Sequence, residues 1–366
     1  MKKLLLAGVA MGSVALAAPA HADVELEVGG YFKGYGVFID QDEVAGSQTN
    51  DFDFIRDTEI HIGGETTLDN GLTIGAHFEV DADGGDAFGV DESYVYFSGN
   101  WGRVNFGAED GAGYLLQVAA PSADSNIDGI RQFVQPVNYT VLTGLAGLNT
   151  AAGIDYDMDP TGKADKLTYL SPIMNGFQAG ISLSPDSDNS AALGGVGQDD
   201  QPGVIGMTYE IAARYEGQFQ NVGVIAGAGY AHGEEEAAAA GTDDRDTFNV
   251  GLDLDISAFG LGVSYSEDNG GVDAAANDDE ETLVIGADYT TGPFKIGLSY
   301  FDQDNSYAVK DLETVRYTGG VVYNYGPGMS FRGSVSYIEH EAANIGGAGV
   351  NDVDSTSFVL GTQINF

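Results

Sequence analysis

From Asp23 onward, apolar side chains recur at every second position. Phe294, Ile296, Leu298 and Tyr300 alternate with Lys295, Gly297 and Ser299. Phe248, Val250, Leu252, Leu254 and Ile256 alternate with Asn249, Gly251, Asp253 and Asp255. A period of two marks a strand with one apolar and one polar face, not a helix. Sixteen such segments are predicted, near 24–38, 54–68, 72–80, 93–99, 103–107, 166–171, 177–183, 204–216, 222–230, 248–257, 261–265, 283–291, 294–300, 314–325, 330–338 and 356–366. The pattern allows one helical turn, near Tyr114–Val118. The connectors alternate in length. Asp69-Asn70-Gly71, Asn175-Gly176 and Gly292-Pro293 are tight-turn chemistry. Between the short turns lie eight long connectors, near 39–53, 81–92, 108–165, 184–203, 231–247, 266–282, 301–313 and 339–355. Short turns at one end and long loops at the other describe an up-and-down meander. All 9 Pro fall outside the proposed strands, as a residue that cannot donate to a strand ladder should.

Composition turns this meander into a membrane barrel. Residues 1–22 read as a secretory signal: Lys2 and Lys3, an apolar run from Leu4 to Ala18, then Ala20-His21-Ala22. Residues 23–366 are then the mature domain. They contain no run of about 18 apolar residues, so a membrane-spanning helix is not expected, and only a closed β-barrel could span a bilayer. Aromatic residues recur near strand ends, including Tyr230, Tyr265, Tyr289, Phe294, Tyr300, Phe331 and Tyr337, as interface girdles require. A soluble β-sandwich alternates too, but sixteen strands, a secretory signal and a terminal aromatic strand weigh against it. The charge is concentrated: 43 of the 56 Asp and Glu lie in the eight long connectors, against 4 Lys or Arg there. The formal net charge of −42 excludes sequence-independent nucleic-acid binding. With 0 Cys, no disulfide, thiolate metal site or Cys nucleophile exists.

The chain resembles the Gram-negative general diffusion porins over essentially the whole mature length. Five segments carry the resemblance: Gly30–Tyr35, Ile60–Thr66, Asp91–Gly107, Leu167–Leu183 and the terminal Phe358–Phe366. It implies a sixteen-stranded trimer in the outer membrane of a Gram-negative bacterium, in contact with lipid and lipopolysaccharide. It also implies a third loop, about 108–165, that folds into the barrel and opposes its acids to a basic wall. The second loop would latch onto a neighbouring subunit. Phe366 would be the residue read by the barrel assembly machinery. The outward glycines Gly30, Gly34 and Gly36 of the first strand would let barrels approach closely, placing the subunit contact at the seam of the first and last strands.

Candidate constriction residues follow from this map. The loop acids are Asp124 and Asp128, in the stretch Ser122–Arg131. On the wall, Lys33 matches the family's basic position. Glu59 and Glu92 stand where the family is commonly basic, and Leu170 lies near a third such position. Arg103 and Lys166 are further wall bases, close to strand ends. With Ile60, Ile62, Ala76 and Phe78 facing out, His61, His77 and Glu79 face in. The three-residue turn Asp69–Gly71 makes 61 and 79 cross-strand partners. Two non-adjacent His are a thin metal signal, so the reading is a hydrogen-bonded wall pair, without a metal or other cofactor. Asp186–Ser190 lacks the later ligands of an EF-hand loop, and Gly346–Gly349 is a single repeat. Acidic loops would hold calcium only loosely, bridging lipopolysaccharide.

The function expected is passive diffusion of ions and small hydrophilic solutes through a water-filled pore, with cations preferred. A substrate-specific pore would need an inward aromatic slide, and only Tyr31 and Tyr35 are evident. A phosphate pore would need rings of Lys and Arg. A barrel enzyme would need a Ser beside the lumen His, and none is evident. A structural or adhesive barrel with a plugged lumen is the remaining alternative.

Overall fold

A computed structural model of the chain describes residues 24–43, 48–82, 89–138, 155–187, 196–197, 199–273, 279–305, 312–342 and 352–366. The secretory signal over 1–22, Gly346–Gly349 and the end of the Asp186–Ser190 run lie outside these residues. The strands are β1 (Glu25–Gln41), β2 (Phe52–Thr67), β3 (Thr73–Asp81), β4 (Gly89–Gly99), β5 (Gly102–Ala108), β6 (Asp165–Leu170), β7 (Phe177–Ser184) and β8 (Ile205–Phe219). They continue as β9 (Val222–Glu235), β10 (Arg245–Ile256), β11 (Phe259–Asp268), β12 (Glu280–Thr291), β13 (Phe294–Asn305), β14 (Leu312–Gly326), β15 (Met329–Ala342) and β16 (Asp352–Asn365). Each pairs antiparallel with its sequence neighbours, and β1 pairs with β16, closing the barrel. Among the described residues, the only helices are two single turns between β5 and β6: α1 (Ala112–Leu115) and α2 (Ser125–Asp128). Neither is long and apolar enough to cross a membrane.

The period-two pattern sets the two faces. On β8, Met207, Tyr209 and Ile211 are exposed while Thr208, Glu210 and Ala212 are buried. On β13, Leu298 is 67% exposed and Phe301 is 0% exposed. Large apolar side chains left uncovered all around a closed barrel are a lipid-facing surface, and the polar interior is the lumen. Aromatic pairs mark both rims of that surface. Phe177–Tyr215, Phe259–Tyr289 and Phe294–Tyr323 pack as tilted pairs at the short-turn end, with centroids 4.6, 4.8 and 4.9 Å apart. Phe38–Phe52 and Tyr300–Tyr317 sit at the loop end, at 4.6 and 5.2 Å. Two amphipathic belts anchor the barrel at the lipid–water interfaces.

Tight turns close the short end as their chemistry requires. Asn175 and Gly176 adopt φ of 53° and 90°, the double positive turn that matches strand twist. At the other end the strands run past their predicted limits: β9 reaches Glu235, β13 Asn305 and β15 Ala342. Beyond the hydrocarbon the outward face no longer has to be apolar, so Asp302 and Asp304 continue the β13 ladder after the hydrophobic pattern has stopped.

The glycines of β1 need a correction. Gly34 and Gly36 do face outward, but they are not open hollows. A Cβ at Gly34 would lie 2.6 Å from the Phe32 ring, and one at Gly36 would touch the rings of Phe52 and Phe54. Aromatic rings fill the seam, and Phe54 is 77% exposed.

Closure ends at the last residue. Gly30 N–H donates to the Phe366 carbonyl at 3.0 Å, and Phe366 N–H donates to the Gly30 carbonyl at 3.1 Å. The Phe366 ring stands outward, 52% exposed, in line with Phe358, Leu360 and Ile364. Deleting Phe366 removes both bonds and the ring. The expected outcome is a marked fall in the amount of assembled barrel, read by heat-modifiable gel migration of outer-membrane fractions. The conductance of the channels that do form should be unchanged; normal barrel levels would count against the role.

Candidate functional site

The described parts of the segment joining β5 to β6, residues 109–138 and 155–164, lie against the inner wall, and the wall is shaped to receive them. Ala112 N–H donates to Ser182 Oγ at 2.8 Å, and Gly113 N–H donates to Glu210 Oε2 at 2.9 Å. Arg214 Nη1 donates to the Gln117 carbonyl at 3.1 Å. The chain then crosses a row of inward glycines on successive strands. A Cβ at Gly251 would collide with the Val118 carbonyl oxygen, one at Gly286 with the Pro121 oxygen, and one at Gly297 would come within 2.5 Å of the Ala123 nitrogen. Side chains do not tolerate such approaches, so glycine is required where backbone rests on backbone.

The far end of the segment is fastened by charge. Asp124 caps α2 by accepting from Asn126 N–H at 3.1 Å. Its other contacts are with the wall: Arg332 Nη1 donates to it at 2.7 Å and Tyr35 Oη at 2.9 Å. Asp128 is paired with Arg316, whose second nitrogen donates to the Ile127 carbonyl at 3.2 Å. Ile127 packs with Tyr35, Val37, Val134 and Val359 in a small apolar cluster.

Several expected placements are therefore corrected. Asp124 and Asp128 do not face a passing ion; they are 2% and 3% exposed and turned to the wall. Lys33 is not an open base either. It is 3% exposed, donates to Asp57 at 2.9 Å and lies 3.2 Å from the centre of the Phe133 ring. Lys166 spends its donors on the Glu109 and Gly162 carbonyls. Arg103 lies at the short-turn end of β5, over the Tyr96 ring at 3.9 Å. Arg316 and Arg332 are functional residues that the sequence reading misses, although parity identifies them: Tyr317 and Phe331 point outward, so their neighbours point in.

The open space lies on the other side, between β1–β4 and the loop segment. It is a cavity of about 510 Å³. Its wall carries Asp57, Glu59, Glu79, Asp81, Asp91 and Glu92, and the segment adds Glu109 and Asp110. Arg131 and Lys163 are its basic lining groups, and both are tied to acids. Lys163 Nζ donates to Glu92 at 2.5 Å and to Asp110 at 2.6 Å. Burial lowers its pKa, but those carboxylates more than offset this and hold the ammonium above its ordinary range. Arg131 bridges Asp157 and Asp159 at 2.8 and 3.0 Å.

Of the expected residues, Glu59, Glu92, His61 and Glu79 meet in this cavity. His61 stands opposite Glu79, and His77 opposite Gly63, in the register that the Asp69–Gly71 turn dictates. More aromatic rings line the space than expected. Tyr94, Tyr114 and Phe133 join Tyr31, while Tyr35 is buried behind the loop segment.

The profile of the Gram-negative porin family matches residues 7–343. No curated protein matches the sequence. Among solved structures, the chain is similar to the anion-selective porin of Comamonas acidovorans, at 17% identity and a TM-score of 0.67, covering 94% of this chain and 100% of that one. It is also similar to outer-membrane-expressed OmpT of Vibrio cholerae, at 14% identity and 0.61, covering 96% and 100%. A third is a mutant form of Rh. blastica porin, at 17% identity and 0.56, covering 93% and 100%.

The Arg316–Asp128 pair can be tested directly. Replacing Asp128 with Leu leaves a guanidinium that is 1% exposed without its partner, a loss of about 3–5 kcal/mol in a site that cannot relax. Here Arg316 can regain water by pushing the segment off the wall. Asp128→Leu should therefore lower single-channel conductance and make it fluctuate. Asp128→Leu with Arg316→Met should restore steady conductance; equal behaviour of the two variants would show that the pair does not hold the segment.

Proposed function

The chain belongs to the Gram-negative porin family, and from that premise we propose that its pore passes small hydrated cations in preference to anions. Membership makes it a diffusion channel of the Gram-negative outer membrane. The observation that carries the preference is the cavity beside β1–β4, with eight carboxylates on its lining against Arg131 and Lys163. A sphere of 510 Å³ has a radius of about 5 Å, shorter than the Debye length of about 8 Å at physiological salt. An ion inside is thus unscreened from these groups. The acids of the outer loops lie farther away, and they enrich cations at the mouth without deciding passage. Asp124 and Asp128 serve this pore by holding the loop segment to the opposite wall.

The assembly is proposed to be a homotrimer. One form of Vibrio cholerae OmpT is described as a trimer. The seam of β1, β2 and β16 offers the contact: Phe38, Phe52, Phe54 and Phe358 form a continuous exposed cluster there. Lipopolysaccharide around the rim and recognition of Phe366 by the assembly machinery belong to the same reading.

Two measurements check it. Reversal potentials across a KCl gradient should favour potassium over chloride, most strongly at low salt. Asp81→Asn with Asp91→Asn should lower the permeability ratio several-fold, since each charge about 6 Å away in water contributes on the order of 0.5 kcal/mol. Asp199→Asn with Asp200→Asn, in an outer loop, should change it little. Anion preference in the unaltered chain would overturn the proposal. For the assembly, unheated gel migration in mild detergent should show a trimer that Phe52→Ser with Phe54→Ser converts to monomers; a wild-type monomer would refute it.

A further inference from the structure

The His61, His77 and Glu79 side chains converge in the lumen in a way their spacing does not reveal. Their candidate ligand atoms all lie within 4.8 Å of one another. Glu79 Oε1 is 2.7 Å from His77 Nε2 and 3.3 Å from His61 Nδ1. Donors around a tetrahedral zinc stand about 3.3 Å apart, given metal–nitrogen bonds of about 2.0–2.1 Å. The His61–Glu79 pair is at that separation, the His77–Glu79 pair is closer, and the His61–His77 pair lies within 4.8 Å.

The neighbours hold these rings in place. His61 lies edge-on to Tyr31 and to His77, with centroids 6.0 and 5.7 Å away, and His77 lies against Tyr94 at 5.3 Å. Glu59 Oε1 sits 2.6 Å from His61 Nε2, and the other carboxylate oxygen, Oε2, accepts from the Tyr31 hydroxyl at 3.0 Å. A carboxylate beside one imidazole nitrogen, with the other nitrogen as the ligand, is the arrangement that supports metal-bound histidines. That other nitrogen, Nδ1, is the one turned to Glu79. Charge points the same way. Carboxylate oxygens of Glu59, Glu79 and Asp91 crowd within 4.8 Å, a concentration of negative charge that a bound cation would offset.

We propose that His61, His77 and Glu79 form a binding site for a divalent transition-metal ion of the zinc and copper class, on the pore wall at the acidic cavity. Two imidazoles and one carboxylate select borderline ions over magnesium or calcium, which take all-oxygen sites. The coordination left open faces the cavity, where water or a passing solute completes it. A bound ion adds two positive charges at the place where the pore's cation preference is set.

The test uses tag-free barrel in detergent. Copper(II) electron paramagnetic resonance should show one bound ion per chain with two-nitrogen coupling. His61→Gln and His77→Gln should each leave one nitrogen, and zinc affinity by titration calorimetry should fall at least tenfold in each. His232 lies in the outer half of β9 and His340 is 2% exposed beside Thr314, so neither supplies the second nitrogen. Gel migration confirms that the variants are folded. Coupling that is unchanged in both variants, or no zinc binding at micromolar concentration, would overturn the site. In planar bilayers, micromolar zinc should lower potassium current where equal magnesium does not, and His77→Gln should abolish the effect. Equal block by the two metals, or block that survives His77→Gln, would show mere charge screening. The resonance experiment does not depend on conduction, so it stands whatever the pore's ion preference proves to be.

Discussion

Hydrocarbon offers no partner for a backbone N–H or C=O, and every other feature of this molecule depends on that constraint. A strand in lipid must be paired along both edges. Fifteen consecutive pairings leave two edges, and the β1–β16 ladder from Tyr31–Asn365 to Gln41–Ser355 removes them. Once the sheet is closed, alternation has a single meaning: one set of side chains meets lipid and the other meets the lumen. The same alternation that exposes Leu298 to the outside puts Arg316 and Arg332 inside, one and two strands away.

The lumen is then divided by how the β5–β6 segment is seated. Steric fit and charge act at different points along it. Over β10, β12 and β13 the segment rests on glycine, where the wall has no side chain to hold it off. Past Ala123 the wall regains side chains, and there buried Arg316 and half-buried Arg332 take the two loop acids. A buried ion pair is weak evidence of net stability, because desolvation of both charges opposes their attraction. Its value here is positional: each pair joins a loop acid to a wall arginine, so the segment cannot leave the wall without breaking both. The result is a lopsided interior, with the segment seated on β7–β16 and on Lys33, Tyr35 and Val37 of β1, and the cavity beside β2–β4. The open side keeps the excess of carboxylates.

Much of this architecture is legible in the sequence. Sixteen strands follow from period-two alternation because closure makes every strand two-faced, and the short turns follow from Asn-Gly and Gly-Pro chemistry. Even the His61–Glu79 pairing follows, since a three-residue turn leaves one register. The placements that fail do so for physical reasons. Asp124 and Asp128 read as pore-lining because a loop acid carries no mark of its partner, and their partners are 208 and 188 residues away. Lys163 escapes notice for the same reason: its pairing with Glu92 joins the returning loop to β4. Strand ends are predicted too early because the outward face above the lipid has no apolar pattern to read. The convergence of His77, His61 and Glu79 depends on rotamers, which register alone does not supply.

Family and fold do not decide which ions pass. The Comamonas acidovorans porin is described as anion-selective, and this chain superposes on it at a TM-score of 0.67 with 17% identity. Backbone geometry shared at that level is a shared barrel fold. The sign of the charge inside it depends on a few side chains, whose field reaches an ion only within about one Debye length. In this chain the wall arginines that could have made the pore attractive to anions are consumed in holding the loop segment. Lys33 lies under Phe133, and Lys163 is shared between two acids. The basic groups that line the cavity, Arg131 and Lys163, are each paired with carboxylates. The carboxylates of β2, β3 and β4 are in excess on the cavity lining, and the two imidazoles and Glu79 stand among them.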